Sequence, residues 1–176
     1  MKTTEFLEII AAAQDGRHKV KGLAYSGGKM RLFGWSRPVV VDMAGLAVAG
    51  QIPLLTNHVN DTLCRVGVVT AKVADEGLVI EGEIVADGTE AENIVTQGKA
   101  GADWQLSIGA EVEAAELVQE GKRTVNGIEH DAPFYHVSKS TLREVSVVEM
   151  RQSEAEGRAS GRAATRCIAL RSMDNA

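Results

Sequence analysis

Aromatic residues make up only 4% of this chain: three Phe, two Trp and two Tyr among 176 residues. The core must therefore be built from Val, Ile, Leu and Ala, with few large aromatic anchors. Cysteine is nearly absent. Cys64 and Cys167 stand far apart and neither belongs to a Cys-x-x-Cys pair, so zinc and redox motifs have no support, and a reducing compartment suits the chain. No apolar run approaches the roughly 20 residues that a membrane span requires. The opening Met1-Lys2-Thr3-Thr4-Glu5 leads into acidic residues rather than a secretory signal. A cytoplasmic protein without a membrane partner is expected. Excess positive charge is also lacking. Nineteen Lys and Arg face 24 Asp and Glu, giving a net charge of −5 and a pI near 5.4. A nucleic-acid binder would need a basic face to neutralise phosphates, so no nucleic-acid partner is expected.

What is present is ordinary for a globular domain: 44% hydrophobic and 24% charged residues, in a length typical of one core. The charge is uneven. Residues 151–176 carry Arg151, Arg158, Arg162, Arg166 and Arg171 against Glu154, Glu156 and Asp174, a net of +2 that leaves −7 on the remainder. With almost no β-branched residues, this stretch reads as a basic tail following a domain over 1–150. It is the segment most open to proteolytic cleavage.

The periodicity predicts mostly strands. Residues 4–15 are the exception at the N-terminus: Phe6, Ile9, Ile10 and Ala13 recur at helical spacing, with Gly16 as a stop. From Val20 to Val41, short β-type runs are broken by Ser26-Gly27-Gly28 and Arg37-Pro38. Met43–Ala49 reads equally as a helical turn or a strand. Arg65–Val73 and Leu78–Val85, around Asp75-Glu76-Gly77, form the clearest hairpin. Gly88–Ala100 reads as a helix capped by Thr89. Trp104–Val118 alternates as one long strand. Gln119–Pro133 reads as a polar loop with turns at Gly121-Lys122 and Asn126-Gly127, and Phe134–Val137 and Leu142–Val148 as closing strands. Short strands at such spacing point to a mainly β fold, a compact antiparallel β-barrel with peripheral helices.

Three residues stand out chemically. Ser107, in Trp104-Gln105-Leu106-Ser107-Ile108-Gly109, lies in mid-strand, where a serine is usually a solvent-facing filler. As a nucleophile it would need a base within reach and donors for an oxyanion. Gly109 would let a substrate or another backbone approach closely. Of four histidines, His18 and His130 sit in polar surroundings and read as solvated, and His136 lies in a strand. His58 ends the apolar run Ile52-Pro53-Leu54-Leu55-Thr56-Asn57, at the rim of a core, where a general base is both shielded and reachable. Glu144 interrupts the apolar strand Leu142–Val148. A carboxylate there either faces solvent, pairs with Arg143 or Lys139, or orients an imidazole.

The segments Ile52–His58, Leu106-Ser107-Ile108-Gly109-Ala110 and Leu142–Val148 resemble, in order, the three signature blocks of the prohead serine proteases of tailed bacteriophages. The likeness runs from about Val20 to Val148, with the helix-like Thr89–Gly98 between the first two blocks. It implies a β-barrel distantly akin to the herpesvirus assembly proteases. It also implies serine endopeptidase activity, without cofactor or metal, on the scaffold, on capsid-protein extensions and on the protease itself, inside the immature shell in the host cytoplasm. By position His58 would be the base, Ser107 the nucleophile and Glu144 the acidic third member. His136 is the alternative third member, because the herpesvirus enzymes use a second histidine there. Two other readings compete: an inactive capsid-assembly or scaffolding protein of the same fold, and a cysteine hydrolase pairing Cys64 with His58. Oligomerisation of identical chains is compatible with all three.

Overall fold

Val- and Ile-rich segments pair into one curled sheet in the computed structural model, which describes residues 6–12, 17–85 and 88–149. In chain order the strands are β1 (Phe6–Ala12), β2 (His18–Tyr25), β3 (Val39–Val41), β4 (Leu46–Ala47), β5 (Ile52–Thr56), β6 (Arg65–Ala74) and β7 (Gly77–Ile84). Helix α1 (Thr89–Lys99) follows, and then β8 (Trp104–Val118), β9 (Lys122–Val125), β10 (Ile128–Asp131) and β11 (Phe134–Glu149). Single 3-10 turns occupy Met43–Gly45 and Thr62–Cys64. No helix among the described residues is long and apolar enough to cross a membrane.

Strand β11 organises the sheet. Antiparallel β8 takes one edge along its whole length, and the other edge receives β3, β4 and β5 in succession, all parallel. Beyond β5 the order continues β6, β7, β2, β1. The sheet curls until β8 packs against β1 and β2 without a ladder joining them among the described residues. Inside this half-barrel, alternate residues of each strand meet: Val20, Leu54, Val66, Val69, Leu78, Ile80, Leu106, Ile108, Leu142, Val145 and Val147 are all buried in one cluster. The run Val39-Val40-Val41 is buried on both faces, because Val40 turns away from that cluster to Phe134, Val118 and Val125.

The mainly β expectation holds, as do the Arg65–Ile84 hairpin and the β8 strand with the bounds read from alternation. Several details differ. The sheet is mixed rather than antiparallel throughout, and the described residues hold one α-helix rather than several. The expected helix at 4–15 is strand β1 where it is described. Its residues 4, 5 and 13–15, like residue 150 and the 151–176 tail, lie outside the described residues. Leu7 pairs with Gly22 and Glu8 with Lys21, and an ion pair of 3.1 Å joins the latter two. The open edge of β2 offered β1 a full ladder of hydrogen bonds, which a short isolated helix cannot match. Helix α1 is capped by Gly88, not by the Thr89 side chain. It buries Ala91, Ile94 and Val95, and the Ile94 carbonyl accepts the Trp104 indole N–H at 3.1 Å, tying helix to strand at the start of β8. Ser26-Gly27-Gly28 leads out of β2 without making a hairpin. The polar loop at 119–133 contains the β9–β10 hairpin, whose turn residues Asn126 and Gly127 both have positive φ. The two closing strands are one, β11.

Candidate active site

Strand β5 ends in a tight turn over Thr56–Val59. Asn57 and His58 both adopt left-handed backbone, φ 51° and 58°, as the two central residues of a primed turn do. Such conformations are strained for side-chain-bearing residues and persist where the surroundings hold them. Three hydrogen bonds do so here. Val59 N–H donates to Thr56 O at 3.0 Å, Asn57 N–H to Val147 O at 3.0 Å, and His58 N–H to Ser146 Oγ at 3.0 Å. The turn thereby lays the imidazole back over β11.

Glu144 reaches this imidazole because of a bulge. On β11, Leu142 pairs with Ala110 and Glu144 with Gly109, so Arg143 is an extra residue in the ladder. Strict alternation would put Leu142 and Glu144 on one face. The extra residue sends Leu142 into the core while Glu144 joins Ser146 on the opposite face. Arg143 points outward to Glu111, its Nε donating at 2.8 Å.

The outcome is a short chain of side chains. His58 Nδ1 lies 2.6 Å from Glu144 Oε1, with side-chain exposures of 9% and 14%. Ser146 Oγ donates to the other carboxylate oxygen at 2.6 Å. An ionised carboxylate only accepts, so the network assigns the neutral imidazole's proton to Nδ1 and leaves a lone pair on Nε2. That tautomer can take a proton from a neighbouring hydroxyl.

Ser107 lies on the same face. It pairs directly with Ser146 across the β8–β11 ladder, while Gly109 pairs with Glu144. Directly opposed residues share a face, as do residues two apart on one strand. Ser107, Gly109, Glu144 and Ser146 therefore form a square. Glu144 lies across it, because a Cβ on Gly109 would land on Oε1, the oxygen that meets His58. Gly109 thus makes room for a carboxylate rather than for another backbone. Ser107 Oγ makes no hydrogen bond of its own among the described residues, and the side chain is partly exposed. Ser146 is the other hydroxyl nearby. It is fully buried, and its hydrogen bonds engage Glu144 and a backbone N–H, which leaves Ser107 as the more accessible of the two hydroxyls. In Gly109→Ala, the new methyl is expected to displace Glu144 and lower stability by about 1–3 kcal/mol. A denaturant melt checks this, and a variant of unchanged stability would contradict the placement.

The remaining candidates lie elsewhere. His136 is eight residues before Glu144 on β11, roughly 25 Å along the strand, where its ring nitrogens meet Asp42 Oδ2 and Glu116 Oε1, each at 3.3 Å. His130 is not solvated. It is 5% exposed against Phe134 and leaves Nε2 without a partner among the described residues. Burial, helped by the Lys29 charge, pushes its pKa down, against the opposing hydrogen bond that the ring N–H donates to the Val125 backbone carbonyl. His18 opens β2 and buries an Nδ1 without a partner among the described residues, instead of standing in a linker. Cys64 is a half-buried free thiol closing the Thr62–Cys64 turn. Among the described residues no group of three or more His, Cys, Asp or Glu could hold a metal ion. Sequence reasoning passed over Ser146. Its signal was the Glu144-x-Ser146 alternation inside a Val-rich strand, which puts both polar groups on one face.

A family model described as Caudovirus prohead serine protease matches residues 10–165. The matched stretch includes His58, Ser107, Glu144 and Ser146 and runs past residue 150, where the folded domain was expected to end. No curated protein and no solved structure matches the chain.

Proposed function

The chain belongs to the caudovirus prohead serine protease family, and from that premise we propose that it cleaves peptide bonds by acyl transfer, with Ser107 as nucleophile, His58 as base and Glu144 as the orienting acid. Membership makes it a phage capsid-maturation serine peptidase in general terms. The residue assignment rests on one observation: the 2.6 Å contact of His58 Nδ1 with Glu144, on the face that Ser107 shares.

In this scheme His58 Nε2 takes the Ser107 Oγ proton as Oγ attacks the peptide carbonyl carbon. The tetrahedral adduct collapses by breaking the C–N bond, and the imidazolium delivers its proton to the departing amine. Water, deprotonated by the same imidazole, then attacks the ester, releasing a carboxylic acid and restoring Ser107. Glu144 keeps the imidazole oriented and stabilises the imidazolium that forms twice per turnover. The proposed substrates are the phage scaffold protein, capsid-protein extensions and the protease itself, inside the assembling prohead.

Incubation of the full chain with scaffold and capsid proteins tests this reading. Processing by the wild type and its loss in Ser107→Ala are expected, with a fluorophosphonate probe labelling Ser107 alone. Equal processing by both proteins would overturn it, and absence of labelling in a folded wild-type chain would favour an inactive assembly protein. Cys64→Ala should keep kcat within about twofold, since its position lies outside the Glu144–Ser146–Ser107 square. A loss of processing in that variant would revive the thiol reading.

A further inference from the structure

Ser146 occupies a place where a serine needs a reason. It lies between Val145 and Val147, fully buried, in the middle of a strand. A β-branched apolar residue suits such a position better, and a buried hydroxyl is unfavourable unless it is hydrogen-bonded. Both of its hydrogen-bonding capacities are used, and both on the candidate site. Its proton goes to Glu144 Oε2 at 2.6 Å, and its oxygen accepts the His58 N–H at 3.0 Å.

We infer that Ser146 is a positioning residue that locks the His58–Glu144 pair, holding the carboxylate by one oxygen and the left-handed His58 backbone by its amide. This rests on the assignment of Ser107 and His58 proposed above. Two degrees of freedom are removed by one hydroxyl. Glu144 cannot rotate about its last torsion without breaking the bond to Oε2, so Oε1 stays aimed at Nδ1. The His58 backbone cannot relax from φ 58° without giving up its amide partner. Because Ser146 also pairs with Ser107 across the ladder, one residue ties base and acid to the strand that carries the nucleophile. Ser146 touches no substrate, and its effect runs through His58 and Glu144 alone.

The same strand supplies a matched control. Ser140 is equally buried, and its Oγ has no hydrogen-bond partner among the described residues. If buried serines on β11 were only fillers, the two positions would respond alike.

The experiment compares full-length wild type with Ser146→Ala, Ser146→Cys and Ser140→Ala on a cleavable capsid or scaffold substrate. It also compares them by proton NMR in a Ser107→Ala background, where self-cleavage is blocked. Misplacing the base by a fraction of an ångström is expected to lower kcat by about 10–100-fold while KM stays within about twofold. Ser146→Cys keeps the shape with a much weaker donor and is expected to fall in the same range, so a folding failure of Ser146→Ala leaves the question open to a decisive answer. Ser140→Ala should retain wild-type kcat. The downfield His58 Nδ1–H resonance should be sharp in Ser107→Ala and Ser107→Ala/Ser140→Ala, and should move upfield or broaden in Ser107→Ala/Ser146→Cys. Wild-type kcat and an unmoved resonance in a folded Ser146 variant would overturn the inference while leaving Ser107 and His58 standing. Full processing by Ser107→Ala would instead overturn the nucleophile, and the resonance would still report whether Ser146 holds His58.

Discussion

Replacing Ser107 by alanine is expected to lower kcat for scaffold or capsid processing by about 10⁵–10⁶-fold, with little change in substrate binding or in the melting temperature. Ser107 is partly exposed and makes no side-chain hydrogen bond among the described residues, so truncating it removes a reactive oxygen and little else. His58→Ala should fall in the same range, because without a base the hydroxyl is a weak nucleophile near neutral pH. The sharper expectation concerns the pair. Residues that act as one unit are not additive, so Ser107→Ala/His58→Ala should be no slower than either single variant. A double variant slower by the product of the two effects would mean that the two residues act in separate steps. Single-turnover cleavage measured by intact mass, with enzyme in excess of substrate, reads losses of this size.

Glu144→Gln should lower kcat by about 10⁴-fold near neutral pH, although the side chain keeps its shape. The reason lies in the hydrogen bonds around it. Ser146 Oγ gives its proton to one oxygen of Glu144 and already accepts from the His58 N–H. A glutamine would satisfy Ser146 with its carbonyl oxygen and turn its NH₂ toward His58. Nδ1 would then have to accept, the imidazole proton would move to Nε2, and the nitrogen meant to receive the Ser107 proton would be occupied. A near-isosteric change thus holds the base in the wrong tautomer. Nitrogen-15 shifts of His58 would show the exchange directly. A Glu144→Gln variant within about tenfold of wild type, with Nδ1 still protonated, would count against Glu144 as the orienting acid.

These expectations divide according to what each link of the chain requires. Composition and alternation were enough for a mainly β domain. A strand such as Trp104–Val118 has Leu106, Ile108 and Ala110 alternating with polar residues, and that pattern depends only on neighbours along the chain. Ordered blocks of sequence offered His58, Ser107 and Glu144 as candidates. The segment around Phe6–Ala12 was misread because its apolar spacing fits both periods. The deciding term, the open edge of β2, belongs to another part of the sequence. His130 was misread for the same reason. Its surroundings in sequence are polar, but the β9–β10 hairpin folds it against Phe134.

What the sequence by itself determined is a family and a sheet-forming pattern; for acyl transfer it offered three candidates. Only the tertiary structure decided how they meet. Glu144 faces His58 because Arg143 is one residue too many for the ladder with β8, and periodicity along β11 alone cannot register an insertion relative to a partner strand. Gly109 leaves its space to a carboxylate, and His136 is carried far along β11 to Asp42 and Glu116. Ser146 became visible only when its two hydrogen bonds did, because a hydroxyl's role is set by the partners that non-local pairing brings to it.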